Sequence, residues 1–249
     1  MSSRKRVRFA HQWTLATRSD HRALLVQVEI RNRRKGPWVP LLLVTANMGG
    51  HFGPDDLRAL LDHATGTGVP FVLCLQEGGD QPYVERIGKA TGCTYIGGNA
   101  PGEKSTPMLV SGAITVHRAR WRQVLGRVNV GAGAGPSWAK PKGWHLTRMS
   151  LPGVHFGASS FHEYASLGRR WAWGIRLAGP VVAAVLGMSR PFFLCGDLNA
   201  SDSQPLVRWL IGRGMTTNHR QLGVIRTHGS RSIDAVAVQA AMVVRRSVR

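Results

Sequence analysis

The stretch Phe192-Phe193-Leu194-Cys195-Gly196-Asp197-Leu198-Asn199-Ala200 constrains this chain most, because an apolar run stops there in a turn bearing a carboxylate and an amide. Phe192 to Cys195 has the composition of a buried core strand, and Gly196 lets the backbone bend sharply. Asp197 and Asn199 have one residue between them, so an extended backbone sends both side chains the same way. A carboxylate able to take a proton, beside an amide able to donate to an anion, suits phosphoryl transfer. An ordinary strand followed by an Asp/Asn turn accounts for the same residues, so the decision falls to the rest of the chain.

The 249 residues, 43% of them hydrophobic, are enough to bury a proper core, and a single domain over 1–249 is the expectation. Thirty-three basic residues against 13 acidic ones give a net charge of +20, a field that favours polyanions such as nucleic acid or an anionic membrane surface. Cys74 and Cys195 sit in apolar runs and Cys93 follows a glycine; neither spacing nor parity suggests a zinc site or a disulfide framework. Together with a basic N-terminus that no apolar segment follows, this points to a reducing cytoplasm. Leu177 to Met188, the most membrane-like run, is short and interrupted by Gly179-Pro180 and Gly187, so it reads as a buried helix and no stable membrane insertion is expected. Nothing in the chain points to a protein partner.

In chain order, Arg4, Lys5, Arg6 and Arg8 suit either a nucleic-acid arm or a solvated strand. Leu24, Val26, Val28 and Ile30 alternate as in a strand with one buried face. Asp20 and His21 stand at its mouth, as a metal ligand and acid/base pair or as a capping Asp with an incidental His. Asn32 to Pro40 is a connecting loop. Leu41 begins a core strand that ends at Asn47 and Gly49-Gly50. A helix follows, with Pro54 in its first turn, Asp55 and Asp56 at its positive end, and a stripe of Leu57, Leu60, Leu61 and Ala64. Phe71 to Leu75 then runs into Gln76-Glu77, completing a strand-helix-strand unit of the kind that gathers ligands at its strand ends.

Farther on, Asp80-Gln81-Pro82 opens a short helix, and strands are expected at Cys93 to Ile96 and Met108 to His117. Val130 to Gly143 is Gly/Pro-rich, with Lys140 and Lys142 next to Trp138 and Trp144. Such a loop either grips a nucleic-acid backbone and stacks on bases or is an ordinary hairpin connection. His145 to Ser150 and Val154 to Ser160 read as a strand pair around Pro152-Gly153, the second strand ending at His162. Arg169 to Met188 is helical with a kink at Pro180, Ser203 caps a helix bearing Leu206, Trp209 and Leu210, and Ser232 to Val238 is a strand with Asp234 near its start.

Asn47, Glu77, His162, Asp197, Asn199 and Asp234 thus follow one another at strand ends, in the segments TAN, LQE, SFH, GDLNA and SID, with SDH at 19–21 besides. Together these resemble the endonuclease/exonuclease/phosphatase superfamily, the group of DNase I, exonuclease III, inositol polyphosphate 5-phosphatases and neutral sphingomyelinases. In that family SDH comes last, whereas here it comes first. The resemblance therefore implies a circular permutation: residues 1–31 carry the closing strand, 32–40 join old end to old beginning, and 41–249 form the remainder. On this reading Ala23 to Ile30 should lie beside the Asp234 strand. A chance SDH is the alternative.

The resemblance implies an α/β fold, a four-layer α/β/β/α sandwich with its site on the loops at one edge. It also implies a divalent metal, Mg²⁺ with Mn²⁺ as alternative, held by Glu77 with Asn47 and Asp20. Asp197 would orient or deprotonate water, and Asn199 would donate to a phosphate oxygen. His21, positioned by Asp234, would contact the phosphate or act as acid/base, with His162 near the leaving group. The implied activity is phosphodiester hydrolysis, and the charge of +20 favours DNA or RNA as substrate. Gly78-Gly79 stands where abasic-site enzymes of the family carry Thr-Lys, which disfavours that repair reaction. A phosphomonoesterase or sphingomyelinase-type enzyme is the rival of the same class, and an inactive nucleic-acid-binding module the rival of another.

Overall fold

The computed structural model describes residues 6–32, 36–49, 51–78, 82–97, 106–125, 128–129, 138–139, 142–162, 171–198, 205–229 and 234–244. The first sheet is built from β1 (Val7–Leu15), β2 (Ala23–Ile30), β3 (Val39–Asn47), β4 (Phe71–Gln76), β5 (Thr94–Ile96) and β6 (Met108–Val110), in the order β1-β2-β3-β4-β6-β5. Helices α1 (Pro54–Gly66) and α2 (Pro82–Ala90) interrupt the run. The second sheet takes β7 (Thr115–Leu125), β10 (Lys142–Leu151), β11 (Val154–His162), β12 (Phe192–Asp197), β13 (Met215–Thr217) and β14 (Asp234–Gln239), in the order β13-β14-β12-β11-β10-β7. Helices α3 (Trp171–Leu186), α4 (Pro205–Gly212) and α5 (Asn218–Leu222) belong to this half, and β8 (Val128–Asn129) pairs with β9 (Trp138–Ala139).

Period-two alternation sorts the side chains of each strand into layers. Leu24, Val26 and Val28 of β2, Leu41 and Leu43 of β3, and Val72 and Cys74 of β4 meet Phe156, Phe193, Cys195, Val236 and Val238 of the opposite sheet. The other face of the first sheet, with Leu25, Leu42, Val44 and Leu73, packs against Leu57, Leu60, Leu61 and Ala64 of α1 and Val84 and Ile87 of α2. Phe192, Leu194 and Ala237, on the outer side of the second sheet, pack with Val181, Val182 and Val185 of α3 and Leu206 and Leu210 of α4. The result is the expected helix–sheet–sheet–helix sandwich. In α1, Pro54 opens the helix, Asp55 and Asp56 lie in its first turn, and the Asp56 carboxylate accepts the Gly53 N–H at 2.9 Å.

Several expectations need correction. Ala23 to Ile30 is in the first sheet, antiparallel to β3, and not beside the Asp234 strand, which lies in the second. Alternation fixes which face of a strand is buried, but not which sheet it joins. Met108 to His117 is two strands, divided by a turn in which the Ile114 N–H reaches the Ser111 carbonyl at 2.9 Å. Trp144 is only 2% exposed and meets Phe192 edge-on, with ring centroids 5.5 Å apart, so it is a core residue and not a base-stacking platform. The basic opening of the chain continues as β1, a strand with a buried start at Val7. α3 runs through Pro180, and among the described residues no helix is long and apolar enough to cross a membrane.

Candidate functional site

The layer between the sheets is apolar for most of its length and turns polar at one end. Thr45 and Asn47 continue the inward face of β3, Gln76 that of β4, Asp197 that of β12 and Asp234 that of β14; all are buried. Parallel pairing sets the ends level: Asn47 is opposite Gln76 between β3 and β4, and His162 is opposite Asp197 between β11 and β12, while antiparallel β14 places Asp234 opposite Asp197. Gly196 is obligatory at this point, because a Cβ there would lie 1.7 Å from the Phe161 carbonyl oxygen.

Gln76 braces the floor. Its Oε1 accepts from Thr45 Oγ1 at 3.0 Å and its Nε2 donates to Ser160 Oγ at 3.0 Å, so one amide joins the two sheets. Above it, Asn47 Nδ2 donates to Asp197 Oδ2 at 3.1 Å and lies 3.3 Å from Glu77 Oε1, while Asn47 Oδ1 accepts the Gly49 N–H at 2.8 Å. Glu77 is half exposed, has a backbone φ of 55°, and brings Oε1 to 3.7 Å from His162 Nε2. A side chain at position 49 would fill the cradle, since its Cβ would lie 2.9 Å from Glu77 Oε2. The carboxylate and the amide of this pocket supply oxygens for a hard divalent cation, whose other positions water can complete.

His21 enters from the far end of the sequence. The Ser19 hydroxyl accepts the His21 N–H at 3.1 Å, and Thr17 Oγ1 donates to the His21 carbonyl at 2.7 Å, which stiffens the turn ahead of β2. Against the ionised Asp234, Nδ1 carries the proton and donates to Oδ2 at 3.1 Å, leaving Nε2 3.9 Å from Asp197 Oδ2. Burial works to lower the pKa of His21, but the Asp234 hydrogen bond and the charges of Asp234, Asp197 and Asp20 outweigh it and hold the imidazole above its ordinary value. Asp20 is opposed by burial as well, yet the His21 charge and hydrogen bonds from His228 and Ser19 keep its carboxyl below the usual range. Asp20 groups with His21 and His228, and neither cluster of three metal-competent His, Cys, Asp and Glu side chains among the described residues includes Glu77.

The sequence reading missed the residues that hold Asp234. Where β13 stops, β14 has an open edge; Thr227 Oγ1 accepts the Asp234 N–H at 3.2 Å, His219 Nε2 donates to the Asp234 carbonyl at 2.9 Å, and Asn218 Oδ1 accepts the Val236 N–H at 2.9 Å. His228 was missed too. It forms a backbone bridge opposite His21 and bonds Asp20 at 3.2 Å, and no periodic pattern surrounds it in the sequence. Asn199 and Lys140 lie outside the described residues, as do the side chains of Trp138 and Lys142.

No protein-family model matches the chain, and no curated protein matches it in sequence. Solved structures match it in fold. Zebrafish (D. rerio) TDP2, complexed with a single-strand DNA product, is 15% identical with a TM-score of 0.58, over 79% of this chain and 82% of that one. A mannosyl-6-phosphatase of Bacteroides thetaiotaomicron is 13% identical with a TM-score of 0.57, over 79% and 84%. An endonuclease/exonuclease/phosphatase of Bacteroides vulgatus is 12% identical with a TM-score of 0.57, over 79% and 86%. With two face-to-face mixed sheets, helices outside both and polar strand ends gathered at one edge, the chain has the DNase I-like fold of the endonuclease/exonuclease/phosphatase superfamily.

Proposed function

We propose that the protein is a divalent-metal-dependent phosphoester hydrolase whose preferred substrates are nucleic-acid phosphodiesters. The convergence of Asn47, Glu77, His162, Asp197, Asp234 and His21 from six separate strand ends carries this reading. Glu77 and Asn47 hold the cation. When bound, Mg²⁺ or Mn²⁺ supplies charge neutralisation at the scissile phosphate and its leaving oxygen. Asp197 orients the attacking water and draws off its proton as the P–O ester bond breaks. His21, kept in one tautomer by Asp234, contacts the phosphate or exchanges protons with it. His162 stands on the leaving-group side, and Asn199 completes the set by donating to a phosphate oxygen. The three cysteines are buried and unpaired, in keeping with a cytoplasmic setting.

The charge of +20 supports a polyanionic substrate, as does the DNA product named with the zebrafish TDP2 structure; the mannosyl-6-phosphatase of the same fold supports a small phosphomonoester as the second reading. Incubation with supercoiled plasmid, single-stranded DNA, RNA and a sugar phosphate, in Mg²⁺ or EDTA, separates them. Cleavage of a nucleic acid in Mg²⁺ alone is expected. Phosphate release from the sugar ester with every polymer intact would replace the nuclease reading by the monoesterase one.

We also infer that the chain is circularly permuted, with the closing strand β2 seated against β3 in the first sheet and not, as the permutation was expected to require, beside the Asp234 strand. In support, β2 pairs with β3 from Ile30↔Val39 to Leu24↔Thr45, His21 bonds Asp234 across 213 positions, and the Arg6 N–H donates to the Met242 carbonyl at 2.7 Å. Deleting residues 1–31 should abolish activity and re-attaching them after Arg249 should restore it. A fully active deletion would refute the permutation.

A further inference from the structure

We propose that Asp20, His21 and His228 form a second cation site, selective for a borderline transition metal such as Zn²⁺ and separate from the hard-cation pocket of Glu77 and Asn47. One ligand atom from each of the three lies within 4.8 Å of the others. Asp20 Oδ2 is 3.2 Å from His228 Nε2, Asp20 Oδ1 is 4.0 Å from His21 Nε2, and the two imidazole centroids are 4.5 Å apart. Ligands about 2.0–2.1 Å from a tetrahedral zinc stand about 3.3 Å from one another, so the three ligand atoms, already within 4.8 Å, have only to draw closer around the ion.

Three further observations separate this cluster from a chance ion pair. First, the rings are brought together by the backbone: His21 and His228 face each other in an antiparallel bridge, and the Arg22 N–H donates to the Thr227 carbonyl at 2.7 Å. Second, the fully buried Asp234 accepts a hydrogen bond from the Nδ1–H of His21, which fixes the tautomer and leaves the Nε2 lone pair outward; a carboxylate behind a histidine orients metal ligands in just this way. Third, the donors are two imidazole nitrogens and one carboxylate, a set suited to Zn²⁺ and poorly suited to Mg²⁺. Asp20 and His228 are 64% and 33% exposed, so a fourth position remains for water or a phosphate oxygen.

Occupation would engage the Nε2 that His21 needs for proton exchange, making Zn²⁺ an inhibitor; this consequence, though not the binding itself, rests on the phosphoester reading. The test uses tag-free full-length protein in chelator-free buffer, titrated with Co²⁺ to follow its visible absorption and with Zn²⁺ by calorimetry. Wild type and Glu77→Gln should bind Zn²⁺ equally. His228→Ala, and Asp234→Asn behind His21, should each weaken binding roughly 10- to 100-fold. Undiminished affinity in His228→Ala, loss of affinity in Glu77→Gln, or no Zn²⁺ binding by wild type would each overturn the proposal. In the activity arm, Zn²⁺ should inhibit wild type more strongly than His228→Ala, and equal inhibition would remove the inhibitory role. If no phosphoester were hydrolysed, the hydrolase reading would fall while the Co²⁺ and Zn²⁺ titrations still decided the metal site.

Discussion

Two buried histidines, His21 and His145, have opposite fates. His21 is 7% exposed and His145 1%, and burial presses on both. At His145, on β10, the only relief is a hydrogen bond to the Thr106 backbone; Nε2 has no hydrogen-bond partner, and burial lowers its pKa to about 4. At His21 three carboxylates reverse the sign. Desolvation alone silences an imidazole, whereas desolvation beside fixed negative charge leaves it protonatable and polarised. His145 lies on a strand and His21 in the turn ahead of one, in the same sandwich; the difference is whether the chain brings its histidine to the polar end of the inter-sheet layer.

The largest expected effect comes from removing the charge behind His21. Asp234→Asn should lower kcat/KM roughly 10²- to 10⁴-fold, the usual range for a positioned acid/base, while circular dichroism shows a folded protein. Near-wild-type turnover would mean that the two histidines differ without functional consequence. The second effect belongs to His145. Its folded pKa lies below the unfolded value of about 6.5, so its neutral form favours folding above that pH, and stability is lost as pH falls toward 4. The loss amounts to about 3 kcal/mol. Urea unfolding of His145→Leu between pH 7.5 and 4 should show that acid slope flattened, and an unchanged slope would remove the contrast.

His21 should behave in the opposite sense and more weakly, because burial offsets part of the carboxylate attraction. With its folded pKa raised, it contributes stability fully below its unfolded pKa of about 6.5, and that contribution disappears as pH rises through the folded value. In EDTA, the Tm advantage of wild type over His21→Asn should therefore shrink from pH 6 to pH 9; an advantage that grew would contradict the raised pKa. The smallest effect concerns the floor of the polar end. Ser160→Ala removes one of the two acceptors of Gln76 Nε2 and the hydroxyl's own donation to the Leu75 carbonyl, and should cost about 1 kcal/mol in chemical denaturation. No change in stability would show that the brace between the sheets is slack.

Much of this architecture was legible because strand ends carry both a period and a boundary. Leu41 to Asn47, Phe71 to Gln76 and Phe192 to Asp197 are apolar runs that stop at polar residues, and the structure ends β3, β4 and β12 at those residues. The stripe of α1 was equally plain, since Leu57, Leu60, Leu61 and Ala64 recur at helical spacing. Pairing across long separations was not legible. Nothing in Leu24, Val26 and Val28 says whether β2 adjoins β3 or β14, because either neighbour buries the same face. Trp144 reads as a loop residue because glycines and prolines precede it, yet strand pairing with β7 draws it under α3. His219 and His228 act through a strand edge and a single bridge, contacts that exist only after the sheet has formed.

Glu77 is the only non-glycine residue with positive φ among the described residues, at 55°, a conformation that costs an ordinary side chain about 1–2 kcal/mol. Gly or Asn at this position would relieve that cost and discard the carboxylate in the same step. Libraries of this chain selected only for expression or heat tolerance should therefore drift toward Gly or Asn at 77, and libraries selected for turnover should keep Glu. The residue found there in an evolved population would reveal whether persistence or chemistry had been rewarded.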